Sequence, residues 1–442
     1  MSPRRERALD AVVLVAAKLA IGAWVAHQGF THVSDDDYAR TVIAERFAHA
    51  PALDPSGTSW LPLPFWVTGV AMMAAGRTIA VARGAAVVLG AAAAAAPYAA
   101  MRAAGVGRWA ALGATAVAMA LPWNAWLGVA AVPEGWFGAI VAAAVIAMPV
   151  DAARGWAAAG LLAASLARYE AWPACAVLAA LCAWRAWRSR VDAAPWREAT
   201  WAAVALAGPI AWMAWNAHAH GSALHFLARV ATFRQAIGAA AVPLGEKLLA
   251  FPLALVEGAP EAAVLGAVGL AGLASSRALR VRWGWPAAAA TAILAFLVLG
   301  DVRDGAPTHH PERALVALWW VLAGMGADAA ATLWSARGRP SGPRPTAHMR
   351  IAAALAALAA GAWAVTLPAR WADFPGSGDA DRQGAIARGL DMRARGVAAA
   401  SITPCAFEHF ALLAAWGEPE RATLEPRTGE PVTAACPHVV ER

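Results

Sequence analysis

The hydrophobic and polar positions of this chain fall into long alternating blocks. Apolar runs recur from the N-terminus to about residue 367, and each is long enough to cross a hydrocarbon layer about 30 Å thick. Short segments rich in arginine separate many of these runs. The pattern predicts eleven membrane-crossing helices, the first over about 8–28 and the others near 82–101, 108–130, 134–150, 154–169, 172–186, 199–217, 259–276, 284–301, 312–334 and 350–367.

Residues 61–80 form a further apolar run that has two interpretations. Its start carries two prolines, Pro62 and Pro64, and two tryptophans, Trp60 and Trp66. Such a start favours a re-entrant or interfacial helix, and a complete crossing is the alternative. The predicted fold class is therefore an all-α polytopic membrane protein with about 11–12 transmembrane helices.

Composition and charge support this class and indicate an orientation. The chain is 60% hydrophobic and only 15% charged, whereas soluble domains carry about 25% charged residues. The net charge of +7 comes mainly from arginines in short loops, which is the positive-inside pattern and not a nucleic-acid-binding surface. The arginine clusters in 185–197, 277–282 and 337–350, together with the basic start of the chain, predict a cytoplasmic N-terminus. The expected location is a bacterial inner membrane.

The sequence divides into two predicted domains. Residues 1–367 form the transmembrane domain, whose outer loop covers 29–60, and residues 368–442 form a small soluble extracytoplasmic α/β domain. In that second domain the pattern predicts a helix over 379–395, a strand over 396–404, a helix over 407–416 and a strand over 421–425. Cys405 and Cys436 are candidates for a disulfide on this oxidising side, and Cys175 and Cys182 are predicted to be buried packing thiols.

Carboxylates at two places are the candidate catalytic residues. Asp35, Asp36 and Asp37 follow the first apolar run directly, and Glu134 begins a later one. A single aspartate suffices to cap a helix, and Glu134 could simply interact favourably with the dipole of the helix that it begins. Three adjacent carboxylates repel one another and attract cations, so a general base or a divalent metal site is the stronger interpretation. Asp36 and Glu134 are the candidate ligands of such a metal, Mg²⁺ or Mn²⁺.

Cationic and aromatic side chains on the same predicted outer face complete the candidate site. Arginine and histidine at the edge of a membrane can neutralise a phosphate group, although they can also form plain surface ion pairs or solvate the start of a helix. The candidate donor-phosphate contacts are Arg168, His309, His310 and Arg313. The candidate acceptor or lipid contacts are Trp60, Tyr169 and Glu170.

The order of these motifs resembles the GT-C superfamily of polyprenyl-phosphate-dependent glycosyltransferases, which includes protein O-mannosyltransferases and the lipid A aminoarabinose transferase. The resemblance covers about residues 1–370. The motifs are the acidic triplet, the segment Trp60-Leu61-Pro62-Leu63-Pro64-Phe65-Trp66, Arg83 at the head of the next helix, Glu134 and an outer tail. The chain departs from the family in having Asp-Asp-Asp in place of Asp-Glu, and Trp60-Leu61-Pro62 in place of Lys-Pro-Pro.

The resemblance implies an inverting glycosyltransferase that moves a sugar from a polyprenyl-phosphate donor to a hydroxyl acceptor on a glycan, lipid or protein. Asp36 or Asp35 would be the general base, assisted by Asp37 and Glu134. The chain contains no P-loop, dinucleotide turn or nucleophile elbow. A transporter or lipid flippase is one alternative, although such a protein would place ionisable groups near the midplane. Another envelope glycan ligase or polymerase is the second alternative.

Overall fold

A computed structural model describes residues 2–188, 195–236, 242–305, 310–337, 363–375, 382–404, 406–425 and 437–441. The described chain is predominantly helical and carries one small sheet near the C-terminus. The helices are α1 Pro3–His27, α2 Asp36–His49, α3 Leu63–Ala75, α4 Ile79–Ala103, α5 Arg108–Ala120, α6 Pro122–Leu127, α7 Glu134–Ala147, α8 Arg154–Ser165, α9 Ala171–Arg188, α10 Pro195–His220, α11 His225–Ala236, α12 Leu244–Glu257, α13 Pro260–Ser275, α14 Arg277–Val302, α15 Val316–Arg337, α16 363–372, α17 Gln383–Arg395 and α18 Glu408–Trp416. The strands are β1 Ala400–Thr403, β2 Ala422–Leu424 and β3 His438–Glu441.

Four helices in the described ranges are long and apolar enough to cross a membrane. They are Arg4–His27, Ile79–Ala103, Arg277–Val302 and Pro311–Ser335, which joins a 3₁₀ turn to α15. The consecutive helices α12 and α13 together would make a fifth span, but they meet at an angle of 95°. Length and hydropathy therefore support fewer spans than the eleven that the sequence predicts.

Broken helices account for part of this difference. The predicted crossing 108–130 divides at Leu121 into α5 and the six-residue α6, because Pro122 cannot donate the backbone hydrogen bond that a continuous helix needs. The predicted crossing 154–169 contains only the 12-residue α8. Most of the predicted crossing 350–367 lies outside the described residues.

The run 61–80 forms the short helix α3. This helix has 13 residues and is therefore about 20 Å long, less than the hydrocarbon thickness of a membrane. It ends at Gly76, which has a φ of 100°. Thr78 then caps α4 by accepting a hydrogen bond from the backbone N–H of Val81. The length favours the re-entrant or interfacial interpretation over a complete crossing.

Small residues let the long helices approach one another closely. A Cβ atom on Gly326 in α15 would lie 2.2 Å from the carbonyl oxygen of Leu265 in α13, so the backbones of these two helices approach each other closely. Cys175 and Cys182 are both buried as free thiols in the packed helices, as the sequence predicts. The helical core therefore rests on the alanine- and glycine-rich composition of the chain.

The C-terminal residues form the small α/β unit that the sequence predicts. Strand β1 pairs with β2 in parallel and with β3 antiparallel, in the order β2-β1-β3, and α17 and α18 pack on each other. The sequence did not predict β3, and Cys405 and Cys436 lie outside the described residues. Tyr38 and Val42 of α2 share one apolar core with this unit. The C-terminal unit thus supports the helix that begins with the acidic triplet.

Candidate functional site

The three adjacent aspartates at the start of α2 have three different partners. Asp35 is the N-cap residue, but its side chain makes no capping hydrogen bond. It accepts two hydrogen bonds from Arg382 of the C-terminal unit, at 2.8 and 2.9 Å. Asp36 accepts one from Arg313 at 2.8 Å. Helix capping by the aspartate side chains is therefore not the role of this triplet.

Asp37 points into the protein and holds backbone groups. Its carboxylate accepts hydrogen bonds from the N–H groups of Ala131 at 2.8 Å and of Val33 at 3.2 Å. Burial raises the pKa of Asp37, although the charge of Arg313 and these hydrogen bonds oppose the increase. This carboxylate connects α2 to the loop before α7, so its position suits a structural tie and not contact with a substrate.

Asp36 is the aspartate that faces outward from the site. Its side chain is 39% exposed. Burial acts to raise the pKa of Asp36, but the positive charges of Arg313 and Arg40 outweigh it, so the pKa lies below the usual 3.8. The carboxylate is therefore ionised at neutral pH and can accept a proton.

Two arginines join Asp36 to two further carboxylates in one ion-pair network. Arg313 donates to Glu134 Oε1 from Nε at 3.0 Å and from Nη2 at 2.6 Å. Arg168 donates to the same oxygen at 2.7 Å and to Glu170 at 3.1 Å. Except for Asp36, these side chains are at most 15% exposed. In the described part of the chain, the second carboxylate oxygen of Glu134 is buried without a partner.

This network brings together five of the predicted site residues, Asp36, Glu134, Arg168, Glu170 and Arg313. They come from the starts of α2 and α7, the α8–α9 connection and the 3₁₀ turn before α15. Asp36 and Arg313 are 277 positions apart in the chain. Contacts of this kind arise only from the folded arrangement of the helices.

The predicted histidines lie beside Arg313 in the chain. His310 has a left-handed backbone with a φ of 53°, and its carbonyl oxygen accepts a hydrogen bond from the Arg313 backbone N–H. The ring of His310 lies 5.4 Å from that of Trp123, between ring centroids. His309 lies outside the described residues.

The predicted aromatic contacts hold the loop between α2 and α3. The Tyr169 hydroxyl donates to the Ser59 carbonyl oxygen at 2.8 Å and accepts from Trp212 Nε1 at 3.0 Å. The ring of Trp60 lies over the Arg40 guanidinium, 4.5 Å from its central carbon. These aromatic contacts hold the loop beside the network.

Two arginines of the site were not predicted from the sequence. Arg40 is 6% exposed and lies four residues after Asp36, hence on the same face of α2. That spacing is the signal that could have identified it. Arg382 pairs with Asp35 across 347 positions, and no local pattern reveals such a contact.

The carboxylates do not fit the expected divalent metal in this arrangement. The guanidinium of Arg313 bonds to both Asp36 and Glu134 and lies where a shared cation would have to lie. In the ranges that the structure describes, no group of three or more His, Cys, Asp or Glu side chains could hold a metal ion.

No family model matches the chain, and no curated protein has significant sequence similarity to it. The geometry of the site and the order of its motifs are therefore the grounds on which a function can be proposed.

Proposed function

We propose that this chain is a membrane glycosyltransferase of the GT-C type. It would take a sugar from a polyprenyl-phosphate lipid and transfer it to a hydroxyl acceptor on a glycan, lipid or protein. The proposed location is a bacterial inner membrane, with the N-terminus in the cytoplasm and the site and C-terminal unit on the opposite side. Four helices long and apolar enough to span a membrane, among the described residues, support the membrane part of this proposal.

The observation that carries this proposal is the environment of Asp36. Among the described carboxylates of the network, Asp36 is the one whose side chain is substantially exposed. The arginines of the same network are candidates to contact a phosphate. A carboxylate that is ionised and accessible can accept a proton from a hydroxyl. Guanidinium groups nearby can stabilise the negative charge of a departing phosphate.

The reaction that fits these groups is a single displacement with inversion. Asp36 takes the proton of the acceptor hydroxyl, and the hydroxyl oxygen forms the new bond to the anomeric carbon of the sugar. The bond between that carbon and the phosphate oxygen breaks, and its electron pair leaves with the polyprenyl phosphate. We propose Arg168, Arg313, His309 and His310 as the contacts of this phosphate, and Arg313 also donates a hydrogen bond to Asp36.

The placement of the charges favours this function over transport. Asp36, Glu134 and Arg313 lie at the first or second turns of their helical segments. A transporter typically binds its ion or substrate near the middle of the membrane, at broken helices. Charges gathered at helix starts instead suit a reaction at the membrane surface.

The test uses membranes that contain the wild type or Asp36→Asn, supplied with radiolabelled polyprenyl-phosphate sugars. We expect label to leave the lipid with the wild type and turnover to fall at least about a hundredfold in the variant, as removal of a general base predicts. The matched control is Asp54→Asn, a carboxylate in the neighbouring loop. Folded wild-type protein that releases no label from any donor would refute the proposal.

A further inference from the structure

Arg40 is a buried cation for which the proposed reaction has no assigned task. It is 6% exposed, and its Nε is buried without a hydrogen-bond partner among the described residues. No ion pair described in the structure includes it, whereas Arg313 and Arg168 each hold two carboxylates. An anion that bound Arg313 or Arg168 would have to compete with those carboxylates, but one that bound Arg40 would not.

The protein stabilises the charge of Arg40 only weakly. Burial lowers the pKa of Arg40 to about 10, because it outweighs the attraction of the more distant Glu134 and Asp36. A buried charge without a carboxylate partner costs free energy, and a buried polar group without a hydrogen-bond partner, such as the Nε of Arg40, requires an explanation. An anionic ligand that is absent from the unliganded protein is such an explanation.

The residues around Arg40 could contact a ligand that has both a charged and an apolar part. Arg40 lines a small cavity together with two threonines, Thr41 and Thr68, and apolar walls that include Phe65, Leu89 and Trp136. The cavity is about 20 Å³, roughly the size of one water molecule, so a phosphate can enter only if a neighbouring side chain moves. The ring of Trp60, on the loop between α2 and α3, covers the guanidinium and is the group that would move.

We infer that Arg40 binds the phosphate of the polyprenyl lipid in preference to Arg313 and Arg168, which already pair with carboxylates. The guanidinium can form two parallel hydrogen bonds to a phosphate, and the apolar walls beside it suit the start of a lipid chain. This inference rests on the proposed function, since it names the residue that holds the lipid-linked donor. Arg40 would bind the same group after transfer, when it is the free lipid phosphate.

The test measures binding of undecaprenyl monophosphate to the purified full-length protein in detergent. The variants are Arg40→Met, Arg40→Lys and the matched control Arg46→Met, which removes an exposed arginine from the same helix. We expect wild type and Arg46→Met to bind equally, Arg40→Met to bind at least about tenfold more weakly, and Arg40→Lys to lie between them. Without ligand, Arg40→Met should melt at the same temperature as the wild type or higher, because it removes a buried charge that no carboxylate pairs with directly.

Two further ligands test the contributions of the phosphate and of the lipid chain separately. Uncharged undecaprenol lacks the phosphate, and inorganic phosphate lacks the lipid chain. Equal binding of the lipid phosphate by wild type and Arg40→Met would overturn it, as would a wild type that binds none. Binding of inorganic phosphate as tight as that of the lipid would overturn the assignment to a lipid. A lower melting temperature of ligand-free Arg40→Met, together with unweakened binding by Arg40→Lys, would indicate a structural role and also overturn it.

Turnover is measured in parallel so that the two proposals can fail separately. Arg40-dependent binding of the lipid phosphate by a protein that transfers no sugar would refute the glycosyltransferase and leave the binding site standing. Sugar transfer that persists at the wild-type rate in Arg40→Met would leave the glycosyltransferase standing and refute the role of Arg40.

Discussion

Asp35, Asp36 and Asp37 are adjacent in the chain, yet each carboxylate faces a different group. Asp35 faces the guanidinium of Arg382, Asp37 faces backbone N–H groups, and Asp36 faces Arg313 and solvent. Helical geometry explains the divergence, because successive residues on a helix are rotated by about 100°. The triplet is therefore three single carboxylates with separate roles and not one acidic patch.

The pH dependence of turnover should reflect the low pKa of Asp36. Because that pKa lies below 3.8, the group stays ionised as the pH falls and takes up a proton only at strongly acidic pH. We expect kcat/KM to show no acid limb between about pH 5 and 8. A limb near neutral pH that persists in the Asp36→Glu variant would point to a histidine base instead.

Substitution of Asp37 should affect stability more than chemistry. Asp37→Ala leaves the buried N–H groups of Ala131 and Val33 without their acceptor, which costs about 1–3 kcal/mol. We expect a melting temperature several degrees below that of the wild type in thermal unfolding, with turnover largely retained at temperatures where the variant is folded. Asp391→Ala removes an exposed surface carboxylate and is the control. An unchanged melting temperature would contradict the structural role that we assign to Asp37.

Helix α2 is supported from two directions. One side packs on α3, and the other contributes Tyr38 and Val42 to the core of the C-terminal unit, beside Ile402 and Leu412. The pair of hydrogen bonds between Asp35 and Arg382 joins the start of the helix to that unit. The C-terminal unit therefore fixes the position of Asp36 without supplying a group to the proposed reaction.

Loss of the link between Asp35 and Arg382 should lower turnover without altering donor binding. Because Asp36 follows Asp35 directly, we expect Asp35→Asn and Arg382→Gln each to reduce kcat several-fold. The double variant should be no worse than either single one, since both remove the same contact. Arg395→Gln, which breaks a contact within the C-terminal unit, is the control. Fully additive losses would show that the two side chains act independently.

The two ends of α1 lie beside groups of different charge. Asp10 of α1 pairs with Arg108 at 2.7 Å, close to the basic N-terminal residues, whereas the other end of α1 leads into the acidic triplet. The 25 residues of α1 separate these ends by about 38 Å. A helix of that length allows the basic end and the proposed site to lie on opposite sides of a membrane.

Thiol labelling of intact cells should reveal this arrangement. In a background that lacks Cys405 and Cys436, single cysteines at the exposed positions Ala52 and Arg421 should react with a membrane-impermeant maleimide. A cysteine at exposed Arg277 should react only after the membrane is opened. Labelling of position 277 before positions 52 and 421 would reverse the predicted orientation.

The hydropathy pattern predicts which segments are helical, but it does not predict where a helix is interrupted. The C-terminal elements α17, β1, α18 and β2 agree with the sequence because turn residues separate short, distinct patterns. The run 108–130 was predicted as one crossing, since its average hydropathy does not register the break at Pro122. Strand β3 was missed because four residues carry too little periodicity.

The site was partly predictable for a related reason. Glu134, Arg168 and Arg313 stand out because charges at the ends of apolar runs are costly and rare. Arg40 did not stand out, because it lies within a helix that already contains several polar residues. Its lack of a carboxylate partner is a property of three-dimensional distances, which a sequence pattern does not contain.

The contact between α2 and the C-terminal unit has a consequence for synthesis. The ribosome adds Arg382 to the chain 347 residues after Asp35. During most of translation, the apolar face of α2 that packs on the C-terminal unit is therefore uncovered. The site reaches its final geometry only when the last segment has left the ribosome and folded against that face. A protein truncated before residue 382 would insert its helices and still lack a correctly placed Asp36.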